Sequence, residues 1–144
     1  MATYFDTSAL AKRYIAEPGS DAVDEFLAQH ADDCVITPLV ATEFESILQR
    51  LLRQGLIDAD FAARSHSRFA ADLSGALWAM RPFEVASFSR AVGLLRELGT
   101  PLVTLDALHL ASAVEHQCTA LATSDRQLAR AAQASGLLVH TFLN

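Results

Sequence analysis

The sequence has few of the residues that mark secreted, membrane-spanning or strongly basic proteins. Of its 144 residues two are cysteines and one is a lysine. Cys34 and Cys118 lie in apolar surroundings without C-x-x-C spacing, so we expect two buried thiols in a reducing compartment. No apolar run approaches the ~20 residues of a membrane span, and the first residues look like a strand, so we expect no signal peptide. These absences predict one cytoplasmic globular domain over residues 1–144.

Basic residues are also scarce, and the formal net charge is −6. This charge argues against nucleic-acid binding that depends on the charge of the whole protein. It does not exclude a nuclease, because metal ions can neutralise a local cluster of carboxylates. It also suits a basic protein partner.

Short apolar segments alternate with helical patterns along the whole chain, without repeats or linkers. Strands are predicted at residues 2–5, 34–37, 77–80, 119–123 and 137–142. Helices are predicted at residues 9–16, 38–53, 58–73, 83–98, 106–116 and 126–134, and Ser20 or Asp21 is predicted to cap a further helix that ends at about Gln29. This alternation predicts a three-layer α/β/α domain with a mostly parallel central sheet and right-handed crossovers.

Four carboxylates occupy positions from which they can meet at one edge of this sheet. Asp6 and Asp125 each follow a strand and precede a helix. Glu43 lies at the edge of the apolar stripe of its helix, and Asp106 begins the helix before the fourth strand. Carboxylates that share a pocket raise one another's pKa or require a cation, and Mg²⁺ prefers oxygen ligands. Because ligands of parallel sheets bind beyond the carboxyl ends of the strands, the pattern points to metal-assisted phosphodiester hydrolysis.

Each of these acids also has a structural interpretation, and the sequence leaves both open. Asp125 and Asp106 are suitable helix N-caps, and Asp6 suits a turn. Glu43 would serve equally well as a partly buried partner of an arginine. His109 follows Asp106 by three residues, a spacing that can bind a transition metal, although a single histidine on a helix flank is more often structural.

Four short motifs contain the four acids. They are D-T-S-A-L-A-K from Asp6 with E-P-G-S from Glu17, T-E-F around Glu43, T-L-D-A-L-H-L-A around Asp106 and A-T-S-D-R-Q-L around Asp125. In this order, and spread over nearly the whole chain, they resemble the motifs of PIN-domain proteins. More specifically, they resemble those of the VapC toxins of bacterial type II toxin–antitoxin systems.

The resemblance implies a PIN-like sandwich with about five parallel strands. It also implies an endoribonuclease dependent on Mg²⁺ or Mn²⁺, with a catalytic and metal-binding quartet of Asp6, Glu43, Asp106 and Asp125. Family members generally form homodimers, and a cognate antitoxin that also binds operator DNA silences them. The hydroxyl residues expected to support the first and fourth acids are Thr7, Ser8 and Ser124.

Basic residues near two of the motifs are candidates for RNA contacts. Lys12 and Arg13 follow Asp6 by about two turns, and a structural salt bridge is an equal alternative for each. Arg50 and Arg53 follow Glu43 and are weaker candidates.

Two other classes gather acids at the ends of parallel strands but fit less well. A receiver-type phosphoacceptor domain resembles this pattern but needs a lysine late in the chain, and the single lysine here is Lys12. A phosphatase of the haloacid dehalogenase type has a second aspartate two residues after the first, where this chain has Ser8. A PIN-like domain without a toxin role, which processes RNA or only binds partners, remains an alternative.

Overall fold

A parallel five-stranded sheet forms the centre of the protein. In the computed structural model, which describes residues 1–143, the strands are β1 (Thr3–Phe5), β2 (Cys34–Ile36), β3 (Ala79–Met80), β4 (Ala120–Thr123) and β5 (Leu138–Thr141). Their order across the sheet is β3-β2-β1-β4-β5, and every pairing is parallel. The predicted parallel sheet is confirmed.

One or two helices connect each strand to the next strand along the chain. They are α1 (Thr7–Tyr14), α2 (Ser20–Gln29), α3 (Pro38–Arg53), α4 (Ala59–Ser74), α5 (Ala86–Glu97), α6 (Thr104–Glu115) and α7 (Arg126–Ala134). The helices pack in two groups. In the first group α1 packs against α2, α3 and α4, and in the second group α6 packs against α5 and α7. The predicted α/β/α architecture is confirmed. Among residues 1–143, no helix has the length and apolarity needed to cross a membrane.

The central strand β1 is buried along its whole length because both of its faces are covered by helices. Tyr4 and Phe5 are fully buried. The Phe5 ring meets the ring of Trp78 edge to face, with the centroids 5.0 Å apart. The indole N–H of Trp78 donates a hydrogen bond of 2.7 Å to the Tyr14 hydroxyl. The core therefore anchors β1 to α1 and to the residues before β3.

Two helices begin two residues earlier than the sequence predicts. The Asp6 carboxylate accepts a hydrogen bond of 2.9 Å from the Ala9 N–H, and this cap allows α1 to begin at Thr7. In α6 the cap position is Val103, so Asp106 lies within the first turn. The interpretation of Asp106 as an N-cap is therefore wrong.

The region from residue 77 to residue 85 contains less regular structure than predicted. The third strand pairs with β2 only through Ala79 and Met80. Pro82 follows and has no N–H to continue the ladder. The following helix begins at Ala86 rather than at Phe83.

The two cysteines are both free and buried. Burial raises the pKa of the Cys34 thiol to about 12 and that of the Cys118 thiol to about 11. Both thiols therefore stay protonated and unreactive near neutral pH, as the sequence predicts for buried small side chains.

The direction of chain travel across the sheet changes at β1. The chain first builds β2 and β3 on one side of β1 and later β4 and β5 on the other. Such a switch point leaves a crevice at the carboxyl ends of the two neighbouring strands. The residue that follows β1 is Asp6, and those that follow β4 are Ser124 and Asp125.

Candidate active site at the carboxyl ends of the strands

A cavity of about 410 Å³ opens at this edge of the sheet, and all four predicted acids line it. The other lining residues include Thr7, Ser8, His109 and Arg50. Asp6 comes from the end of β1, Glu43 from α3, Asp106 from the first turn of α6 and Asp125 from the residue before α7. The structure thus brings together side chains that are up to 119 positions apart in the chain.

Asp6 lies at the base of the cavity and is only 3 % exposed. The Ser8 hydroxyl contacts both of its carboxylate oxygens, at 2.8 and 2.9 Å. The Thr123 hydroxyl donates to Oδ2 at 2.6 Å, and the Ala9 N–H donates to Oδ1. Asp6 is therefore a helix cap and a cavity residue at once, held in one orientation from both sides.

Both hydroxyls that bind Asp6 accept hydrogen bonds from the loop after β4. The Ser124 N–H donates to Ser8 Oγ at 2.8 Å, and the Asp125 N–H donates to Thr123 Oγ1 at 2.9 Å. Because each hydroxyl has only one hydrogen, these contacts leave that hydrogen for the carboxylate. The backbone after β4 thereby fixes the orientation of an acid that follows β1.

The acids in this cavity disfavour one another's charged forms. Burial is the main reason that the pKa of Asp6 is raised, and hydrogen bonds and His109 offset part of that effect. Burial, followed by the charges of Asp125 and Asp6, raises the pKa of Asp106 to about 6. The site therefore concentrates more negative charge than it neutralises, which favours a bound cation.

Glu43 has a different environment, with two hydrogen-bond donors at one oxygen. Its Oε1 accepts a hydrogen bond of 2.9 Å from the Thr7 hydroxyl and contacts His109 Nε2. Burial alone would raise the pKa of Glu43, but the contact with His109 and the bond from Thr7 lower it below its usual value. Glu43 thus pairs with a histidine, and the alternative of an arginine partner is wrong.

Asp125 combines the two interpretations that the sequence leaves open. Its carboxylate accepts a hydrogen bond of 3.0 Å from the Leu128 N–H and so caps α7. The same side chain lines the acidic cavity. Helix capping and a place in the site are compatible here because the helix begins at the cavity wall.

The supporting hydroxyls are only partly those predicted. Ser8 supports Asp6 as expected, whereas Thr7 bonds to Glu43 and not to the first acid. Ser124 contributes its backbone N–H, and its buried hydroxyl has no hydrogen-bond partner in the part of the chain that the structure describes. The hydroxyl that sequence reasoning missed is Thr123, although it directly precedes the motif's Ser-Asp pair.

The two basic residues after Asp6 have structural partners. Lys12 is 2 % exposed, and its Nζ lies 3.1 Å from Glu17 Oε1 and 2.6 Å from the Pro18 carbonyl oxygen. Arg13 forms ion pairs with Asp24 and Asp72. These contacts favour the salt-bridge alternative for both residues over an RNA contact.

Of the four basic candidates, Arg50 is the one that lines the acidic cavity. It lines the acidic cavity and also an adjoining cavity of about 350 Å³, which shares Ser8, Ile47 and Asp125 with the first. It lies two helical turns after Glu43, on the same side of α3. From the sequence, Arg50 is a weaker candidate than Lys12, because distance along the chain does not reveal that the Lys12 side chain is buried.

The donor set fits a hard divalent cation such as Mg²⁺ or Mn²⁺. Four carboxylates surround one cavity, and a cation would offset the burial and the charge repulsion that raise the pKa of Asp106. Within residues 1–143, no three His, Cys, Asp or Glu side chains lie close enough to hold an ion as they stand.

Similar folds occur in solved structures of toxin–antitoxin proteins. FitAcB from Neisseria gonorrhoeae is 19 % identical with a TM-score of 0.71, and the match covers 99 % of this chain and 96 % of that chain. VapC20 from Mycobacterium tuberculosis, a sarcin–ricin loop cleaving toxin, is 15 % identical with a TM-score of 0.69 and coverage of 95 % and 97 %. VapBC2 from Rickettsia felis, solved with a promoter DNA fragment, is 16 % identical with a TM-score of 0.73 and coverage of 99 % of both chains.

These identities are low, and on their own they establish only a shared fold. No curated protein matches the sequence significantly. The family model for the PIN domain, however, matches residues 3–134, which include all four acids and all but the last strand. The chain therefore belongs to the PIN domain family.

Proposed function

We propose that this protein is a metal-dependent endoribonuclease that acts as the toxin of a type II toxin–antitoxin pair. The observation that carries the proposal is the convergence of Asp6, Glu43, Asp106 and Asp125 on one cavity. Membership of the PIN domain family supports it, and so does the similarity to a toxin that cleaves the sarcin–ricin loop. The proposed activity is cytoplasmic, where RNA and an antitoxin are made.

The proposal gives each acid a role. Asp6 and Asp106 would hold Mg²⁺ or Mn²⁺, and Glu43 would bind it directly or through water. Asp125 would complete the site or orient the attacking water. A bound divalent cation supplies a positive charge for the phosphate and its leaving oxygen, and it lowers the pKa of water. As the resemblance implies, in-line attack leaves a 3′-hydroxyl and a 5′-phosphate.

The residues around Asp6 limit what this acid can do. Ser8 and Thr123 hold both carboxylate oxygens, so the acid enters the reaction already oriented. Such preorganisation suits a metal ligand better than a general base, which must exchange a proton with the solvent.

The proposed partner is an antitoxin that also binds operator DNA. The similar structures include a toxin–antitoxin complex with promoter DNA, which supports this partner. An acidic cavity also suits the insertion of a basic side chain, and arginine is favoured because its planar guanidinium can bind two carboxylates. If a co-purified partner bound a surface remote from Asp6, this mode of inhibition would be wrong.

The proposal can be tested with Asp6→Asn, because asparagine keeps the shape and the N-cap of Asp6. We expect the variant to fold and its RNA cleavage to fall by roughly 100-fold or more, since a ligand charge is lost. Asp60→Asn, which removes an exposed aspartate of α4, is the matched control and should cleave normally.

Metal binding should be measured on the same proteins by titrating Mn²⁺ into antitoxin-free samples in a calorimeter. Saturable binding to wild type that Asp6→Asn loses would support the proposal. A folded Asp6→Asn protein with normal cleavage would overturn the role of Asp6. A wild-type protein that neither binds Mn²⁺, alone or with a non-cleavable RNA, nor cuts RNA would favour the alternative of a PIN-like domain that only binds partners.

A further inference from the structure

Three buried polar side chains form a chain that ends on Glu43. Thr37 and Tyr4 are fully buried and His109 is 2 % exposed. The Tyr4 hydroxyl lies 3.2 Å from Thr37 Oγ1 and 2.8 Å from His109 Nδ1. The other ring nitrogen of His109, Nε2, contacts Glu43 Oε1. Each polar group in this chain therefore has a partner, as buried polar groups require.

When His109 is neutral, the hydrogens of this chain have a consistent arrangement. A carboxylate only accepts, so His109 Nε2 carries the hydrogen that lies between it and Glu43. In a neutral imidazole Nδ1 is then an acceptor, and the Tyr4 hydroxyl donates to it. The Tyr4 oxygen in turn accepts the hydrogen of Thr37. Burial raises the pKa of Tyr4, which keeps its hydroxyl protonated and able to donate.

The contacts of Glu43 are unevenly divided between its two oxygens. Thr7 and His109 both bind Oε1. Oε2 has no hydrogen bond within residues 1–143 and belongs to a side chain that is 25 % exposed and lines the cavity. One oxygen of Glu43 is therefore anchored, and the other remains available to a ligand in the cavity.

We propose that His109 is a positioning residue that, held by Tyr4, anchors Oε1 of Glu43 and directs Oε2 toward the bound cation. This inference rests on the proposed function, because it takes Glu43 as a metal ligand. His109 itself does not bind the cation, since Tyr4 and Glu43 occupy both of its ring nitrogens. Hydrogen bonds that orient metal ligands commonly change metal affinity by roughly 10- to 100-fold.

Two substitutions at position 109 test the two ring nitrogens of His109 one at a time. In His109→Gln the amide nitrogen can take the place of Nε2 and donate to Glu43. In His109→Asn the shorter amide can only replace the Nδ1 side, facing Tyr4. We expect His109→Asn to weaken Mn²⁺ affinity by about 10-fold or more and His109→Gln by about threefold at most. The readouts are calorimetric titration of metal-free protein and thermal unfolding.

A merely structural role would change the thermal stability of both variants and leave Mn²⁺ affinity alone. A folded His109→Asn protein that binds Mn²⁺ like wild type would overturn the proposal, as would equal losses of affinity in the two variants. If His109→Asn does not fold, Tyr4→Phe provides the test, because it releases Nδ1 while keeping the ring. A folded Tyr4→Phe protein is expected to bind Mn²⁺ several-fold more weakly, and unchanged affinity would overturn the inference.

Glu43→Gln distinguishes failure of this inference from failure of the proposed function. If wild type does not bind Mn²⁺, or if Glu43→Gln binds it normally, the ligand role of Glu43 and the inference about His109 are overturned together. If Glu43→Gln loses the binding but folded His109→Asn retains it, only the inference about His109 is overturned.

Discussion

Asp106 carries an electrostatic penalty that a cation would remove. Its pKa is about 6 in the folded protein, through burial and the charges of Asp125 and Asp6, whereas an aspartate in an unfolded chain has a pKa of about 3.9. Between these values the folded protein keeps a proton that the unfolded chain has released. The free energy of unfolding therefore falls as the pH rises from about 4 to about 6, and the loss persists above that range.

Replacing Asp106 by asparagine should therefore stabilise the metal-free protein. Near neutral pH we expect the melting temperature of Asp106→Asn to exceed that of wild type by a few degrees, and the difference should shrink toward about pH 4. Calorimetric unfolding in the presence of a chelator measures both. Asp60→Asn removes a carboxylate from the first turn of α4 and should not melt above wild type. Equal melting temperatures for Asp106→Asn and wild type near neutral pH would contradict the prediction.

At Arg50 we predict a contact with the RNA backbone. Arg50→Gln should raise KM several-fold and leave kcat nearly unchanged, because it removes a charge that borders both cavities but does not touch the acids' hydrogen bonds. The slope of log KM against log salt should fall by about 0.7, the value for one phosphate contact with a single strand.

Arg53→Gln is the matched control for Arg50, since Arg53 is exposed and lies in the last turn of the same helix. Kinetics at several salt concentrations should separate the two variants. Equal effects of both substitutions would show that Arg50 has no special position.

At the scale of the helix, α7 is capped by Asp125, whose carboxylate also lines the acidic cavity. Asp125→Asn keeps an N-cap side chain but removes the charge, whereas Asp125→Ala removes both. We expect both variants to bind Mn²⁺ less tightly, but only the alanine variant to lose about 1 kcal/mol of unfolding free energy. Denaturant unfolding and calorimetric titration measure the two effects separately. If both variants lost stability and neither lost metal affinity, Asp125 would be a cap alone.

Elements with strong local signals agree with the sequence prediction. The helices α3 and α7 have the predicted bounds, because a proline or capping signal and an apolar stripe act within each segment. Helix α2 ends as predicted at Gln29, but its cap residue is Gly19 and not Ser20 or Asp21. The starts of α1 and α6 differ from the predicted starts because acids that line the cavity, Asp6 and Asp106, lie at these helix ends. Sequence patterns do not show whether such an acid caps the helix or lies within its first turn.

The four acids were predictable as a set, whereas most of their partners were not. Motif order and strand ends identify Asp6, Glu43, Asp106 and Asp125. The contact between Tyr4 and His109 joins residues 105 positions apart, and the bond from Thr123 to Asp6 joins residues 117 positions apart. No local pattern encodes such contacts, since they arise from the register of β1 against β4 and from the packing of α6.

At the scale of the whole molecule, family membership removes two of the competing classes. The PIN domain model spans residues 3–134, so a receiver-type phosphoacceptor domain and a haloacid-dehalogenase-type phosphatase are both wrong. The single lysine, Lys12, is buried against Glu17 and could not act as the phosphate-facing lysine of a receiver domain. The burial of Lys12 is therefore a structural reason to exclude the receiver class, in addition to the position of this lysine in the sequence.

Exposed apolar side chains of α5 and of its cap residue, Val85, form one stripe. Val85, Phe88, Val92 and Leu95 are 83, 55, 47 and 44 % exposed, and their spacing places them on one face of the helix. An apolar stripe of this kind is unusual for a surface in contact with water alone. It is the surface at which we expect two copies to meet, because the resemblance implies a homodimer.

A charge placed in this stripe should weaken the dimer. For Phe88→Glu and Val92→Glu we expect a rise of about tenfold or more in the dimer dissociation constant, because each charge would be buried without a partner. Mn²⁺ affinity should be unchanged. Leu56→Glu, at a position that is 70 % exposed and outside the stripe, is the control. Light scattering over a range of concentrations gives the result, and dimers of unaltered affinity in both variants would contradict the assignment of this surface.

The position of β1 in the sheet also determines when the protein can become active during its synthesis. Asp6 leaves the ribosome more than 100 residues before Thr123 and Asp125, which complete its surroundings. Until β4 pairs with β1, the central strand has one open edge and its acid has no fixed orientation. A chain interrupted before Ala120 would therefore lack the groups that orient Asp6, and the acidic cavity can form only after β4 has been made.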